Sequence, residues 1–193
     1  KRIFINLSTF VSNIILMSIV NNKNISLEIL ISTKDRDNLD FLNNIFVKNN
    51  AHSHSILIIN QTQNFNFSCS HSDNINLINV NEIGLSKSRN LAIENAKSDI
   101  CLLADDDIVY ENNFDSIVLN AFNINPSADI ITFKMNDLNG NSFKDYPDIV
   151  NHNKKSLSFV NSVVIAFRRN AIISNKVFFD ENFGLGSTFQ TAD

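Results

Sequence analysis

Tryptophan is absent, and cysteine, glycine and proline are scarce at two, four and two in 193 residues. Two cysteines make no disulfide framework. Cys101 lies in an apolar run and Cys69 in a polar stretch, a pattern of reduced thiols in a cytosolic setting. Gly184 and Gly186 do not follow the spacing of a phosphate-cradling loop. None of His52, His54 and His71 stands at a Cys2His2-like spacing, so these histidines read as exposed loop residues. Basic excess is missing too: the net charge of −4 offers no field for nucleic acid. No long apolar run is present either. Residues 2–20 are interrupted by Asn6, Ser8, Thr9, Ser12, Asn13 and Ser18, whereas a spanning helix needs about twenty mostly apolar residues and a signal peptide a denser core. That segment reads as a short strand, 2–6, followed by an amphipathic helix.

What remains is one substantial core's worth of chain, with no internal repeat, linker or second-domain boundary. Apolar runs at 27–32, 55–60, 75–80 and 100–104 predict strands. Helical spacing predicts helices over 37–48, 85–97 and 112–122, the last ended by Asn125-Pro126. Further strands are expected at 129–135 and 158–167, with a polar excursion between them. Arg168 and Arg169 read as a strand end carrying charge into solvent. Such alternation argues for an α/β fold with a mostly parallel sheet covered by helices. Residues 1–26 form an extension of uncertain role, trimmed at its amino end, and 27–193 form the domain.

Asp105, Asp106 and Asp107 follow the apolar run Ile100-Cys-Leu-Leu-Ala104. Ligands in open α/β sheets bind beyond the carboxyl ends of the strands. Adjacent carboxylates there repel one another, and a divalent cation offsets the repulsion. Oxygen donors without histidine or cysteine favour Mg2+ or Mn2+ over zinc. Asp105 and Asp107 are two apart, so in extended backbone they share a side, and they are the expected metal ligands. Upstream, Gly84 and Ser86 open a helix that carries Lys87 and Arg89 in its first turns. Cations there oppose the helix dipole, a small cost that is tolerable where an anion is held. A salt-bridged surface helix is the plain alternative for that segment.

Three segments in order carry a resemblance: Gly84-Leu-Ser-Lys-Ser-Arg-Asn-Leu-Ala92, Asp99-Ile-Cys-Leu-Leu-Ala-Asp-Asp-Asp-Ile108 and Phe179-Asp-Glu-Asn-Phe-Gly-Leu-Gly186. Together they resemble the nucleotide-sugar half of family 2 glycosyltransferases, which have the Rossmann-like GT-A fold. The resemblance implies an inverting transfer from a nucleotide-diphosphate sugar, a UDP-sugar by analogy, to the hydroxyl of a carbohydrate or lipid-linked acceptor. It maps the family's Asp-x-Asp signature onto Asp105 and Asp107, with Asp106 between them, and places Arg89, with Lys87, near the diphosphate. It assigns Thr33, Lys34 and Asp35 to the loop that meets the nucleoside, and Asn60 to the position that reads the base. A helix cap at Asp35 and a turn former at Asn60 are the structural alternatives. It makes Asp193, the only carboxylate after Glu181, the candidate base, with the acceptor half continuing beyond. Family habit implies surface-polysaccharide synthesis in the cytoplasm, at the inner face of the membrane. Two rival readings stand beside it: a catalytically silent sugar-nucleotide binding module, and a metal-dependent nucleotidyltransferase. The second is weakened because Ser32-Thr-Lys-Asp-Arg36 contains no glycine.

Overall fold

A computed structural model of the chain describes residues 25–67, 74–137, 139–147, 149 and 151–190, and the backbone of 3–5. Strand β1 (Ile3–Ile5) comes first and β2 (Leu27–Lys34) follows. Helix α1 (Phe41–Ile45), strands β3 (Ser55–Gln61) and β4 (Ile75–Val80), and helix α2 (Leu85–Asn95) come next. Strands β5 (Ile100–Asp105) and β6 (Ile108–Tyr110) precede helix α3 (Phe114–Ile124). Strands β7 (Ile130–Thr132) and β8 (Ile165–Arg168) lead into helix α4 (Arg169–Ser174).

Six strands form one sheet in the order β4-β3-β2-β5-β8-β7. β4, β3, β2 and β5 run parallel, and β8 and β7 are antiparallel to their neighbours. The sheet is therefore mostly parallel, with helices on both faces. Side-chain alternation sorts the apolar runs onto those faces. Ile29, Ile31, Ile56, Ile58 and Leu102 face α1, α3 and β6 in the larger core cluster. Leu30, Leu57, Ile59 and Leu103 face α2 and α4 in the smaller one. Burial on both sides explains why β2 reads as a near-continuous apolar run rather than an alternating one. Buried Glu28 breaks that run for a reason: its Oε2 accepts the backbone N–H of Lys97 at 2.6 Å and of Ser98 at 3.2 Å, fixing the turn into β5.

Four expectations shift, and the strand expected over 129–135 is the first: it covers only Ile130–Thr132. The helix expected over 37–48 is only Phe41–Ile45. Asn38 accepts the backbone N–H of Asp40 at 2.9 Å and Asp37 accepts the Asn38 amide, so side chains compete with the helical ladder before it. The strand expected over 158–167 begins only at Ile165; the stretch before it forms two short 3-10 turns, Ser156–Phe159 and Ser162–Val164. Asn153 and Ser156 start that winding through their own side-chain bonds to backbone N–H groups. Arg168 does not point into solvent. It donates to the carbonyls of Ala128 and Phe122 at 3.0 Å each and lies over the Phe122 ring. That arrangement satisfies acceptors at the carboxyl end of α3, where a cation is favoured.

The short strand expected at the amino end is present as β1, paired in parallel with β6, a strand that was not among those expected. Among the described residues no helix is long and apolar enough to cross a membrane. The helix expected after β1, Cys69 and Asp193 lie outside the described residues.

Candidate active site

The parallel register places Ser32 beside Asp105, Thr33 beside Asn60, and Asn60 beside Asn79. The carboxyl ends of four adjacent strands thus bring polar residues into one row. That row opens where the α2 amino end and the 33–36 loop meet, the crevice position expected of an open α/β sheet.

Two of the three consecutive aspartates are already paired. Asp105 lies with its Oδ1 3.2 Å from Arg89 Nη2, and the Arg89 side chain is 5% exposed. Asp106 Oδ2 accepts from Arg36 Nη2 at 2.6 Å and Nε at 3.0 Å, and from the Thr33 hydroxyl. Asp107 is exposed and forms no ion pair among the described residues. Three carboxylates and two guanidiniums leave one formal negative charge, at Asp107. The repulsion attributed to the run from sequence is thus offset largely within the protein. The chain also leaves extended geometry at Asp106, where a turn over 106–107 begins. Side-by-side alternation therefore does not govern the direction of Asp107.

Arg89 is held by the part of α2 that packs inward. Ser86, Ser88, Arg89, Asn90, Ala92 and Ile93 are buried, an unusually polar inner face. Ser88 donates to Ser32 at 2.9 Å, which ties the helix to the end of β2. Lys87 is not brought to the same place. Residues two apart on a helix project about 200° apart, and Lys87 turns to Glu82 at 3.8 Å and lines a separate cavity of about 490 Å³ with Asn90 and Glu181.

A cavity of about 410 Å³ adjoins the 33–36 loop, lined by Asp35, Arg36, Gln61, Thr62 and Asn64 among others. Asp35 is exposed there, at φ +52°, and its N–H donates to the Gln61 carbonyl at 3.0 Å. Its side chain caps no helix: Asp40 precedes α1, and without a side-chain cap. Asn60 is wholly buried. Its amide brackets the Arg36 backbone, accepting from N at 3.1 Å and donating to O at 2.9 Å, and it also donates to Asn79 at 2.8 Å. Asn60 therefore shapes the loop. Arg36 stands in none of the motifs; its signal in the sequence is a cation three residues beyond Thr33, in the loop after a strand.

The segment from Phe179 to Gly186 docks along α2. Asn90 exchanges hydrogen bonds with the backbone of Phe179 at 2.8 and 2.9 Å, and Ser86 donates to the Phe183 carbonyl at 2.7 Å. The Leu85 N–H donates to the Leu185 carbonyl at 2.9 Å. Gly186 sits at φ +77°, and a Cβ there would lie 2.8 Å from Ile83 Cγ2. Near the crevice, burial and secondarily the Asp105 carboxylate push the Tyr110 phenol up, keeping it neutral. Burial likewise pushes the Cys101 thiol up, so this cysteine packs as an inert apolar group.

Among the described residues no three Asp, Glu, His or Cys side chains gather to cage a metal. Magnesium is commonly held by one or two carboxylates, with substrate phosphates completing its shell. Exposed Asp107 and the half-buried Asp105, both oxygen donors at a strand end, fit that kind of set.

The model of the family described as glycosyl transferase family 2 matches residues 15–183. No curated protein sequence matches the chain. Solved structures are similar in fold at low identity. S. aureus TarS 1-349 has a TM-score of 0.55 at 15% identity, covering 81% of this chain and 51% of that one. The same protein in complex with UDP-GlcNAc has a TM-score of 0.57 at 15% identity, covering 84% and 51%. The mannosyltransferase PcManGT from Pyrobaculum calidifontis, in complex with GDP-Man and Mn2+, has a TM-score of 0.52 at 9% identity, covering 85% and 50%. The chain thus spans about half the length of these solved proteins.

Proposed function

The chain belongs to glycosyl transferase family 2, and from that premise we propose that it is the donor-binding part of an inverting, metal-dependent glycosyltransferase. The donor is a nucleotide-diphosphate sugar, with uridine favoured, and the acceptor is a hydroxyl of a carbohydrate or lipid-linked saccharide. We place the reaction in polysaccharide synthesis on the cytoplasmic side of a membrane. The observation that carries this reading is the row of Asp105, Asp106 and Asp107 with Arg36 and Arg89 at the ends of adjacent parallel strands. An S. aureus TarS structure holds UDP-GlcNAc, which supports the uridine preference; PcManGT holds GDP-Man, which makes the base a point to be measured.

In this reading the nucleoside lies in the cavity lined by Asp35 and Gln61, on the loop that Thr33 and Asn60 hold in shape. Asp105 and Asp107 hold Mn2+ or Mg2+. When bound, such a cation neutralises charge on the departing diphosphate. Arg89 fixes the Asp105 carboxylate in place through a charge-assisted bond, so little reorganisation is needed as charge develops. Asp106 acts on the donor through Arg36. Lys87, on its own side of α2, contributes positive potential at the helix start. Asp193 is the candidate base, taking the proton of the acceptor hydroxyl as that oxygen attacks the anomeric carbon. One displacement of this kind inverts the anomeric centre.

Titration calorimetry with UDP and with GDP, in Mn2+ and then in EDTA, tests the reading. Metal-dependent binding of at least one nucleotide is expected, with UDP the tighter. Absence of binding by both sinks it. Release of free sugar or transfer from a labelled nucleotide sugar separates an enzyme from a silent binding module, and pyrophosphate exchange would identify a nucleotidyltransferase.

A further inference from the structure

We propose that Arg36 is a second ligand for the donor diphosphate, held ready by Asp106, and that this pair sets how much negative charge the acidic run offers to a cation. The proposal rests on the donor-site reading above and deepens it at Arg36, a residue to which the family resemblance assigns no role.

Arg36 is anchored from several directions. Its backbone N and O are both bonded to the buried Asn60 amide. Its guanidinium lies 5.2 Å from the centre of the Phe41 ring. Nε and Nη2 are spent on Asp106 Oδ2, and Nε also donates to Thr33 Oγ1 at 3.2 Å. Holding an arginine this way removes most of the rotamer entropy that binding would otherwise cost. Yet the side chain is 41% exposed and lines the 410 Å³ cavity beside the 33–36 loop. Among the described residues Nη1 has no partner, so N–H donors remain for an anion. A rigid, exposed guanidinium with spare donors beside strand ends is suited to a phosphate oxygen.

The electrostatic half follows from the pairing. Asp106 is cancelled by Arg36 and Asp105 by Arg89, and Asp107 keeps its charge. Without nucleotide, a divalent cation therefore meets a weakly negative site and binds loosely. The diphosphate supplies the missing negative charge, and Arg36 holds part of it. Metal and nucleotide are thereby coupled: each improves the site for the other.

The two members of the pair should thus act with opposite sign on metal alone. In the 193-residue chain without nucleotide, Mn2+ affinity is read from the free-ion electron paramagnetic resonance signal. Arg36→Met uncovers Asp106 and should tighten Mn2+ by about five- to tenfold. Asp106→Asn leaves Arg36 uncompensated and should loosen it by a similar factor. Arg36→Lys, which keeps the charge, should lie near the parent. UDP binding in saturating Mn2+ should fall about tenfold or more in Arg36→Met, the scale of a hydrogen bond to a charged group. A purely structural role would weaken both ligands in both variants. Unchanged or weaker Mn2+ binding by Arg36→Met overturns the proposal, as does unchanged UDP affinity in a parent chain that binds UDP. If the parent binds Mn2+ and no nucleotide, the donor reading fails while the charge assignment is still decided by the metal series. Circular dichroism checks folding, and should Arg36→Met unfold, Asp106→Asn and Arg36→Lys decide: Asp106→Asn must loosen Mn2+ and Arg36→Lys must not.

Discussion

Arg89 Nη2 lies 3.2 Å from Asp105 Oδ1, and this contact joins the inner face of α2 to the carboxyl end of β5. The guanidinium also sits over the Phe179 ring, 5.6 Å from its centre, so one side chain links helix, strand and the docked 179–186 segment. From sequence, a cation in the first turns of a helix is expected to matter little to folding. Burial of Arg89 reverses that expectation.

Arg89→Ala should therefore destabilise the fold by about 2–3 kcal/mol, below the usual range for breaking a fully buried ion pair because Asp105 keeps some contact with water. Arg89→Lys should recover only part of the loss, since an ammonium cannot reproduce the planar fork. Denaturant midpoints measure both. A midpoint shift under a few tenths of a molar for Arg89→Ala would return this residue to a purely ligand-facing role.

Asp107→Ala should abolish the Mn2+ dependence of nucleotide binding with little change in stability, because its carboxylate is exposed and has no ion-pair partner among the described residues. Asp105→Ala should abolish it too, and should also destabilise by stranding buried Arg89. Calorimetry combined with thermal melts separates the two effects. Equal, metal-independent affinity in both variants would remove the metal assignment.

Gly186→Ala should loosen the 179–186 segment from α2. At φ +77° an L-residue is strained by about 1–2 kcal/mol, and the new Cβ would lie 2.8 Å from Ile83 Cγ2. Hydrogen exchange at the Leu85 amide, which donates to the Leu185 carbonyl, reports the docking. Exchange should quicken in Gly186→Ala, and Ile83→Ala in the same chain should relieve the steric part but not the backbone strain.

The fold should lose stability in mild acid through His54. Burial against Phe46 and Phe114 lowers its pKa, and Asp115 at 3.8 Å partly opposes this. The unfolded chain then binds the proton more readily than the folded one. Stability is full above the ordinary histidine pKa of about 6.5 and is lost as pH falls through the lowered folded value. His54→Phe should flatten this part of the profile, and Asp115→Asn should steepen it. Urea midpoints between pH 7 and pH 5 measure the slope.

Much of the frame is legible from residues alone. Strands β2 to β5 and helices α2 and α3 lie within two residues of their expected bounds; apolar runs and spacing mark the strands and α3, and Gly84 marks the start of α2. The elements that failed are short, and three residues carry too little periodicity to mark a strand whatever their polarity. Nothing in Ile108-Val-Tyr110 marks a strand until β1 arrives to pair with it from over a hundred residues away. Likewise, side-chain hydrogen bonds from Asn38, Asn153 and Ser156 redirect backbone whose spacing looks helical or extended.

The sequence by itself determined that the chain folds as a mostly parallel α/β domain and that an acidic run stands at a strand end, since both follow from local pattern. It also ordered the three segments that resemble the family to which the chain belongs. Only the tertiary structure decided which cation answers which carboxylate. Arg36 and Asp106 are seventy positions apart, and Arg89 is separated from Lys87 by the turn of a helix rather than by distance along the chain. Charges are additive in a sequence, whereas their interaction falls with separation and rises with burial, so pairing is a property of the folded chain alone.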